Sequence, residues 1–378
     1  MKKLLPLLII AVLIGALFLL GQKYLRSNVN IDILTQIAQP GKNSEKSLPS
    51  SSQLAGLEIF ADLKGALPRA LAFDKNGVLF ASVPAQGKII ALPDANRDGK
   101  ADRIVEVITG LSRPHGIAFD GNFIYIGETD KVVRASYNAD NFTIGSLQTL
   151  FSLPDGGRHF TRTIRVLKDK LYTSVGSSCD TCVEKDEYRA AILVSNLDGS
   201  GLRVFARGLR NSVFFTFDSQ GKLWGADMGR DFLGDNLPPD EINIIEDGKD
   251  YGWPYCYGDR LRDSNFMPGQ KTDYCLSTQS PLYQLPAHVA PLGVVFDKDG
   301  NLLVALHGSW NSTVPVGYKI VKLNLTKGKV VQVDDFVTGF ITPAGKVVGR
   351  PVDLIFNKEG ELFVSDDYAG VIYLLRTK

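Results

Sequence analysis

The chain has 378 residues, of which 44% are hydrophobic, and its 42 basic and 41 acidic side chains give a formal net charge of +1. A chain of this length can bury a large core. A net charge so close to zero gives no bulk attraction to polyanions, which argues against nucleic acid as a partner.

The first 26 residues have the features of a signal peptide or a signal anchor. A basic start, MKK, precedes an apolar run from Leu4 to Gly21, which as a helix would nearly span a hydrocarbon layer. No small-x-small cleavage motif follows, so we favour an anchor through residues 4–21, with the rest of the chain exported to the periplasmic or extracytoplasmic side. Residues 27–56 lack periodic hydrophobicity and predict a flexible linker.

From residue 57 onward, one pattern recurs: an apolar run, a D/N-x-x-G turn, and a second strand that opens with large apolar residues. The six copies begin at Pro68, Arg113, His159, Arg210, Ala290 and Arg350. Repeated hairpin turns at one phase favour an all-β, six-bladed β-propeller over residues 57–378, rather than a β-sandwich or a solenoid. LEIFADL, residues 57–63, is the candidate strand that completes the last blade and closes the ring.

The unusual residues of the repeat fall at one end of the predicted propeller. Polar side chains start the inner strands, and the insertions 176–187, 227–240 and 307–317 each follow a second strand. Strand starts and these loops emerge on the same face of a propeller. One mouth of the central channel is therefore predicted to be polar and covered by loops, as a binding pocket requires.

An acidic turn in the first blade resembles a calcium loop. DANRDGKADRIVE places oxygen-bearing side chains at loop positions one, three, five and nine, with Gly99 at the turn. These residues are Asp94, Asn96, Asp98 and Asp102. Val105 replaces the usual glutamate, so an acidic surface turn is the alternative. A bound ion would be structural, because this hairpin lies away from the predicted pocket.

Two positions at the predicted mouth carry chemistry. His159, in GGRHFTRTI, suits a general base, because imidazole exchanges a proton near neutral pH; a structural histidine between blades is the alternative. Arg210 and Asn211, in ARGLRNSVFF, place a fixed cation beside an amide. Such a pair suits an anionic or quinone oxygen, and a buried salt bridge between blades is the alternative.

Four cysteines form two pairs along the chain, Cys179 with Cys182 and Cys256 with Cys275. We favour two local disulfides, because the count is even and the N-terminus resembles an export signal. Cys179 and Cys182 also have the spacing of a redox pair or of half a zinc ribbon, but no second CxxC is present.

Long runs of the sequence resemble the pyrroloquinoline quinone (PQQ) dependent sugar and sorbosone dehydrogenases. The strongest is ARGLRN followed by LWGADMGRDFLGDNLPPDEINIIEDGKDYGWPYCYGD. GGRHFTRTI, LYTSVGSSCDTC, LLVALHGSWN, GRPVDLIF and RPHGIAF extend the resemblance across the chain after residue 57. It implies a quinoprotein oxidoreductase that acts on a sugar or sugar-derived aldehyde, with PQQ and Ca²⁺ as cofactors and an external electron acceptor.

The resemblance also implies roles for individual residues. His159 matches the general base, which removes a hydroxyl proton while hydride passes from the sugar carbon to the quinone. Arg210 and Asn211 match the pair that contacts PQQ, with Arg210 stabilising charge that develops on its oxygens. Gly229 and Arg230, in DMGRD, match positions that offer backbone carbonyls to the calcium ion beside the quinone.

A further calcium site is implied by DEINIIEDGKDY. Glu241 and Tyr251 match its carboxylate and tyrosine positions, and calcium prefers such oxygen ligands. The alternative for Glu241 is a loop carboxylate whose hydrogen bonds are satisfied within the protein.

This sequence departs from the glucose and aldose enzymes at two positions. His307 stands in place of a lysine that contacts PQQ, and Val352 replaces the second arginine of a cluster that begins at Arg350. The run HGSWN is similar to the sorbosone branch, so we expect His307, Trp310 and Asn311 to supply substitute contacts. Arg350 remains as a fixed cation for PQQ.

Two other classes of function fit parts of the pattern. A lactonase-type propeller activates water on a calcium ion held by carboxylates and amides at several inner strand starts, whereas this chain has mostly His and Arg there. A non-catalytic propeller that binds a glycan or a protein would tolerate His307 and Val352. Tight PQQ binding distinguishes the dehydrogenase from both.

Overall fold

The computed structural model describes residues 56–266 and 273–376, which form the predicted all-β, six-bladed propeller with little helix. The signal or anchor segment and the linker up to residue 55 lie outside the described residues. Within the described ranges, no helix is long and apolar enough to cross a membrane.

Five blades are four-stranded antiparallel sheets, and blade 2 has a fifth, short strand; in blades 1 to 5 the strands follow one another in chain order from the channel outward. Blade 1 comprises β2 (Leu71–Phe73), β3 (Leu79–Val83), β4 (Lys88–Leu92) and β5 (Val105–Ile108). Blade 2 comprises β6 (Gly116–Asp120), β7 (Phe123–Gly127), β8 (Lys131–Asn138) and β10 (Gln148–Ser152), with β9 (Thr143–Ile144) paired to β8. Blade 3 comprises β11 (Ile164–Leu167), β12 (Lys170–Val175), β13 (Ala191–Asn196) and β14 (Arg203–Arg207).

The last three blades follow the same plan. Blade 4 comprises β15 (Phe215–Phe217), β16 (Leu223–Asp227), β17 (Asp240–Ile245) and β20 (Tyr283–Leu285). Its long insertion carries β18 (Cys256–Tyr257), β19 (Leu261–Arg262) and helix α1 (Tyr274–Ser277). Blade 5 comprises β21 (Pro291–Phe296), β22 (Leu302–Leu306), β23 (Lys319–Thr326) and β24 (Lys329–Val337). Blade 6 comprises β25 (Pro351–Phe356), β26 (Leu362–Asp366), β27 (Val371–Leu375) and β1 (Leu57–Asp62). A short 3₁₀ turn, Pro84–Gln86, joins β3 to β4.

The ring closes as the sequence predicts, because β1 pairs antiparallel with β27 from Leu57 opposite Leu375 to Asp62 opposite Val371. The N-terminal strand β1 therefore forms the outer strand of blade 6, whose other three strands come from the C-terminal part of the domain. This pairing links the two ends of the propeller through backbone hydrogen bonds.

The core lies between neighbouring blades. Phe80 of blade 1 meets Phe119 of blade 2 edge-on, with ring centroids 4.9 Å apart. Trp224 of blade 4 meets Phe296 of blade 5 at 5.3 Å in the same way. Second strands such as β16 and β22 are buried along their whole length, which explains why they are nearly continuous apolar runs.

The three predicted insertions follow the second strands β12, β16 and β22, as expected. Both predicted disulfides are confirmed. Cys179 bonds to Cys182 in the first of these loops, and Cys256 bonds to Cys275 in the insertion before β20. The loops and the starts of the inner strands together build one face of the channel.

Candidate active site

His159 is held by the loop that follows β12. Its Nδ1 lies 2.9 Å from the Ser177 carbonyl oxygen and 3.0 Å from the Ser177 hydroxyl. A donated proton at Nδ1 leaves the Nε2 lone pair as the basic atom. Burial, then the charges of Arg210 and Arg158, lower the pKa of His159 to about 3, so the imidazole is neutral at physiological pH.

Arg210 and Asn211 occupy the start of the inner strand of blade 4. Their backbone N–H groups donate to the two oxygens of Asp227, at 3.0 and 2.8 Å, and this fixes the direction of both side chains. Among the described residues, the Asn211 carboxamide oxygen is buried without a hydrogen-bond partner. Gly176 packs between Asn211 and His159, where an added Cβ would lie 2.5 Å from that oxygen and 2.7 Å from the His159 Cβ.

Two carboxylates between blades 3 and 5 bind the arginines of the mouth. Asp180 accepts from Arg210 at 2.7 Å, and Asp231 accepts from Arg158 at 2.6 Å. Asn311 donates to the second oxygen of Asp231 at 2.5 Å, which attaches the predicted HGSWN loop to this network. Burial raises the pKa of Asp231 to about 6.

Trp310 lies at the edge of the same network. Its ring meets that of Phe232 edge-on at 5.9 Å, and the Arg158 guanidinium lies 5.7 Å from the ring centroid. Trp310, a predicted cofactor residue, therefore contacts this network through Arg158, which precedes His159 in the sequence.

A second cationic cluster joins blades 5, 6 and 1. His307 Nε2 lies 2.8 Å from Asp367, and Arg69 donates to the other oxygen of that carboxylate. Arg350 donates to the carbonyls of His307 and Gly308. Burial and the charge of Arg350 lower the pKa of His307 to about 4, so His307 is neutral at physiological pH.

The channel is crossed by an ion pair deeper along the inner strands. Arg165 of blade 3 lies 3.8 Å from Asp353 of blade 6, and Asp353 also accepts the backbone N–H of Leu71 in blade 1. Blades 3 and 6 are opposite each other in a ring of six. This ion pair therefore links two opposite blades across the channel.

One small cavity, of about 20 Å³, is lined by all four residues that were predicted for the calcium sites near the quinone. These are Gly229, Arg230, Glu241 and Tyr251. Arg210 and Asp227 also line it, so the cavity adjoins the predicted PQQ contacts. The Tyr251 hydroxyl donates to the Ile244 carbonyl at 2.5 Å and accepts from Glu246, so its phenol is engaged within the protein.

Three buried carboxylates gather at or beside this cavity. Asp227 and Glu241 lie opposite each other in the β16–β17 pair, and Asp240 precedes Glu241. Burial, and then the charge of Glu241, raise the pKa of Asp227 to about 8. Burial raises the pKa of Asp240 and of Glu241 to about 7. A cation bound here would restore the charged forms.

The predicted calcium loop of blade 1 lies between β4 and β5, away from the mouth. Asp94 accepts the backbone N–H groups of Asp98 and Gly99, and Asp102 accepts that of Ala95. In the described part of the chain, the carboxylates of this loop do not converge as a set of three ligand atoms within 4.8 Å. Calcium binding here stays a prediction.

Several residues of the site were not anticipated from the sequence. They are Arg69, Arg158, Asp180, Asp231 and Asp367. The run PRALAF offered one signal, because its arginine starts an inner strand as Arg210 and Arg350 do. The aspartates gave no such signal, because they lie in loops whose geometry the repeat does not specify.

The chain as a whole matches a known protein family. A family model described as TrAA12-like matches residues 55–378, which is most of the chain. The chain belongs to the TrAA12-like family. The predicted relationship to the PQQ-dependent sugar dehydrogenases is confirmed, because relatives of this chain are named as PQQ-dependent pyranose and sugar dehydrogenases.

A PQQ-dependent pyranose dehydrogenase of Coprinopsis cinerea is 26% identical over 82% of this chain and 52% of its own length. This chain therefore spans about half of that protein. The holo structure of the pyranose dehydrogenase PQQ domain from Coprinopsis cinerea superposes with a TM-score of 0.74 at 25% identity, covering 85% of this chain and 95% of that domain. An uncharacterised protein of Borreliella burgdorferi is 31% identical over 84% of this chain and 88% of its own. The named relatives confirm that the chain's family is one of oxidoreductases.

Proposed function

We propose that this protein oxidises a sugar or a sugar-derived aldehyde in a reaction that depends on PQQ and calcium, with His159 as the base. One observation carries the proposal: the mouth brings a neutral histidine, buried arginines and a carboxylate-lined cavity together. Electrons would leave through an external acceptor. PQQ would supply a quinone that accepts two electrons from the substrate carbon in the form of a hydride.

The residues of the mouth suit an anionic quinone. Arg210 and Arg350 are buried cations at the starts of two inner strands. Arg69, from blade 1, adds a third cation beside His307, and this offsets the arginine that Val352 replaces. The buried carboxamide oxygen of Asn211, which has no partner among the described residues, is typical of a polar group that awaits a ligand. The arginines would hold the carboxylates and carbonyls of PQQ, whereas the Asn211 oxygen, as an acceptor, would bind an N–H or O–H donor of the ligand.

The small cavity suits a calcium ion. Its volume of about 20 Å³ accommodates one compact ion, and its lining residues include Asp227, Glu241 and Asp263 beside Arg210 and Arg230. Glu241 would supply a carboxylate. Tyr251 would supply its backbone carbonyl, because its hydroxyl is already bonded to Ile244 and Glu246. Gly229 and Arg230 would offer carbonyls on the side that faces the quinone.

His159 would take the hydroxyl proton of the substrate. The Ser177 carbonyl orients the ring through Nδ1, and Nε2 is then free to accept a proton. Because the imidazole is neutral, it can accept that proton without first losing one. Arg210 is close enough to lower the pKa of His159 and would also stabilise negative charge on an oxygen bound beside it.

The protein is proposed to work outside the cytoplasm. Two disulfides persist in oxidising compartments, and the sequence of residues 4–21 has the character of an export signal or anchor.

The test is dye reduction by the full chain supplied with PQQ and calcium, using a panel of aldoses and sorbosone as substrates. We expect saturable dye reduction with at least one of these compounds, and loss of the signal without PQQ. His159→Ala should abolish turnover and leave PQQ binding nearly unchanged. Lys298→Ala, in an exposed turn of blade 5, is the control. Turnover retained by the His159 variant would exclude it as the base.

A further inference from the structure

The loop after β12 does more than cover the mouth. Ser177 contacts His159 Nδ1 and donates from its hydroxyl to the Cys179 carbonyl at 2.7 Å. The Ser178 carbonyl accepts the backbone N–H of Arg158 at 2.8 Å. Cys179 and Cys182 then close a ring by their disulfide, and Asp180 lies inside that ring. One short loop therefore contacts the predicted base and both of its neighbouring arginines.

Asp180 is the point on which three arginines converge. Its Oδ1 accepts from Arg210 at 2.7 Å and lies 3.4 Å from Arg158, while its Oδ2 lies 3.8 Å from Arg230 Nε. Its backbone carbonyl accepts from Arg210 Nε at 3.0 Å and from the Trp253 indole at 3.3 Å. Arg210 therefore donates two hydrogen bonds to Asp180, one to its carboxylate and one to its backbone carbonyl.

This arrangement fixes the plane of the Arg210 guanidinium. Two of its nitrogens bind Asp180, and the third lies 3.4 Å from the Met228 carbonyl. The Asp180 carboxylate also accepts the backbone N–H of Asp231 at 2.9 Å, so it links the loop after β12 to the loop after β16. The first of these loops contacts the predicted base, His159, through Ser177, and the second carries the predicted calcium carbonyls of Gly229 and Arg230.

We propose that Asp180 is a positioning residue for Arg210, and that the Cys179–Cys182 disulfide is the constraint that keeps it in place. The inference rests on the proposed function. A two-residue loop between bonded cysteines has few conformations, so the carbonyl and carboxylate of Asp180 stay aligned with Arg210. Reduction by a dithiol breaks the Sγ–Sγ bond, leaves two thiols, and converts the dithiol to its own disulfide. Assembly of the anion-binding mouth then depends on the oxidised loop.

The first experiment needs no cofactor. In the full chain labelled with ¹⁵N-arginine, the Nε–H signal of Arg210, assigned by its loss in Arg210→Lys, should exchange with solvent at least about tenfold more slowly than that of exposed Arg97. The double variant Cys179→Ser/Cys182→Ser should abolish this protection while the Cys256–Cys275 disulfide stays intact. Dithiol treatment of the wild type should have the same effect on Arg210.

The second experiment measures PQQ affinity by fluorescence titration in calcium. Asp180→Asn should raise the Kd about tenfold or more, because a charge-assisted bond to Arg210 is lost. Asp169→Asn, in the exposed β11–β12 turn of the same blade, should leave it unchanged. If Asp180→Asn does not fold, Asp180→Glu keeps the charge but moves it by one methylene, and it should also weaken binding.

The inference is overturned if the cysteine and Asp180 variants fold with wild-type melting temperatures, keep the protected Arg210 signal and bind PQQ as the wild type does. Failure of the wild type to bind PQQ would instead count against the proposed function. The Arg210 exchange measurement would still decide whether Asp180 and the disulfide position that arginine.

Discussion

At the residue scale, the state of His159 follows from its surroundings. Ser177 orients the ring, and burial beside Arg210 and Arg158 makes the protonated form unfavourable. Gly176 lets the ring and the Asn211 carboxamide approach each other, because a Cβ there would collide with both. The same contacts that prepare a neutral base therefore make this position sensitive to acid.

This leads to a prediction about pH. The folded pKa of His159 is about 3 and the unfolded value is about 6.5, so the unfolded chain binds the proton first. Stability should fall as pH drops from 6.5 toward 3, by up to about 1.4 kcal/mol per pH unit for this group. We measure the free energy of unfolding in urea between pH 4 and 7. In His159→Gln, its slope against pH should be smaller than in the wild type by roughly the contribution of one bound proton. An unchanged slope would show that His159 is not held neutral.

At the element scale, the hairpin of β16 and β17 brings buried acidic side chains together. Their pairing sets Asp227 opposite Glu241, while the loop between them places Gly229 and Arg230 over the same cavity. Glu241 accepts from the Gly258 backbone at 2.7 Å, so the insertion before β20 is also attached there. Arg230 of the loop after β16 already donates to Asp263 of this insertion at 2.8 Å, and a bound cation would add a second connection between the two segments.

We therefore predict that Glu241→Ala lowers the melting temperature in calcium and makes inactivation by EDTA easier. At calcium hundredfold above its Kd, the lost stabilisation would be about 2.7 kcal/mol. Scanning calorimetry with and without calcium measures it, with Glu359→Ala as an exposed control. A variant whose calcium response matches the wild type would remove Glu241 from the metal site.

At the scale of the whole molecule, the propeller depends on closure by β1. Phe60 of β1 is buried and meets Phe363 of β26 edge-on, with centroids 4.9 Å apart. Phe363 also contacts Phe73 of blade 1 at 5.4 Å, so one aromatic cluster joins the last blade to the first. The closing strand is thus fixed by packing as well as by its hydrogen bonds to β27.

Phe60→Ala should destabilise the protein by about 3 kcal/mol or more, because it removes a buried ring at the junction that closes the propeller. Glu58→Ala, on the exposed side of the same strand, should have little effect. Chemical denaturation of both variants gives the comparison. A change below about 1 kcal/mol for Phe60→Ala would mean that β1 is dispensable for closure.

The fold was predictable from the sequence because its determinants are local. Each D/N-x-x-G turn lies between the strands that it joins. Leu57–Asp62 was the one further strand needed to give the last blade its four strands. The positions of His159 and Arg210 followed from aligning the strand starts. The ion pairs of the mouth could not be predicted in this way, because Arg69 and Asp367 are 298 residues apart and Asp180 reaches Arg210 only through a loop.

The most direct measurement is an equilibrium titration of the full chain with PQQ in the presence of calcium. We predict one saturable site with a Kd of about 1 µM or tighter, weakened at least about tenfold by Arg210→Ala and by removal of calcium. Absence of saturable binding up to about 1 mM would contradict the account. The propeller would then keep the family's architecture without its cofactor.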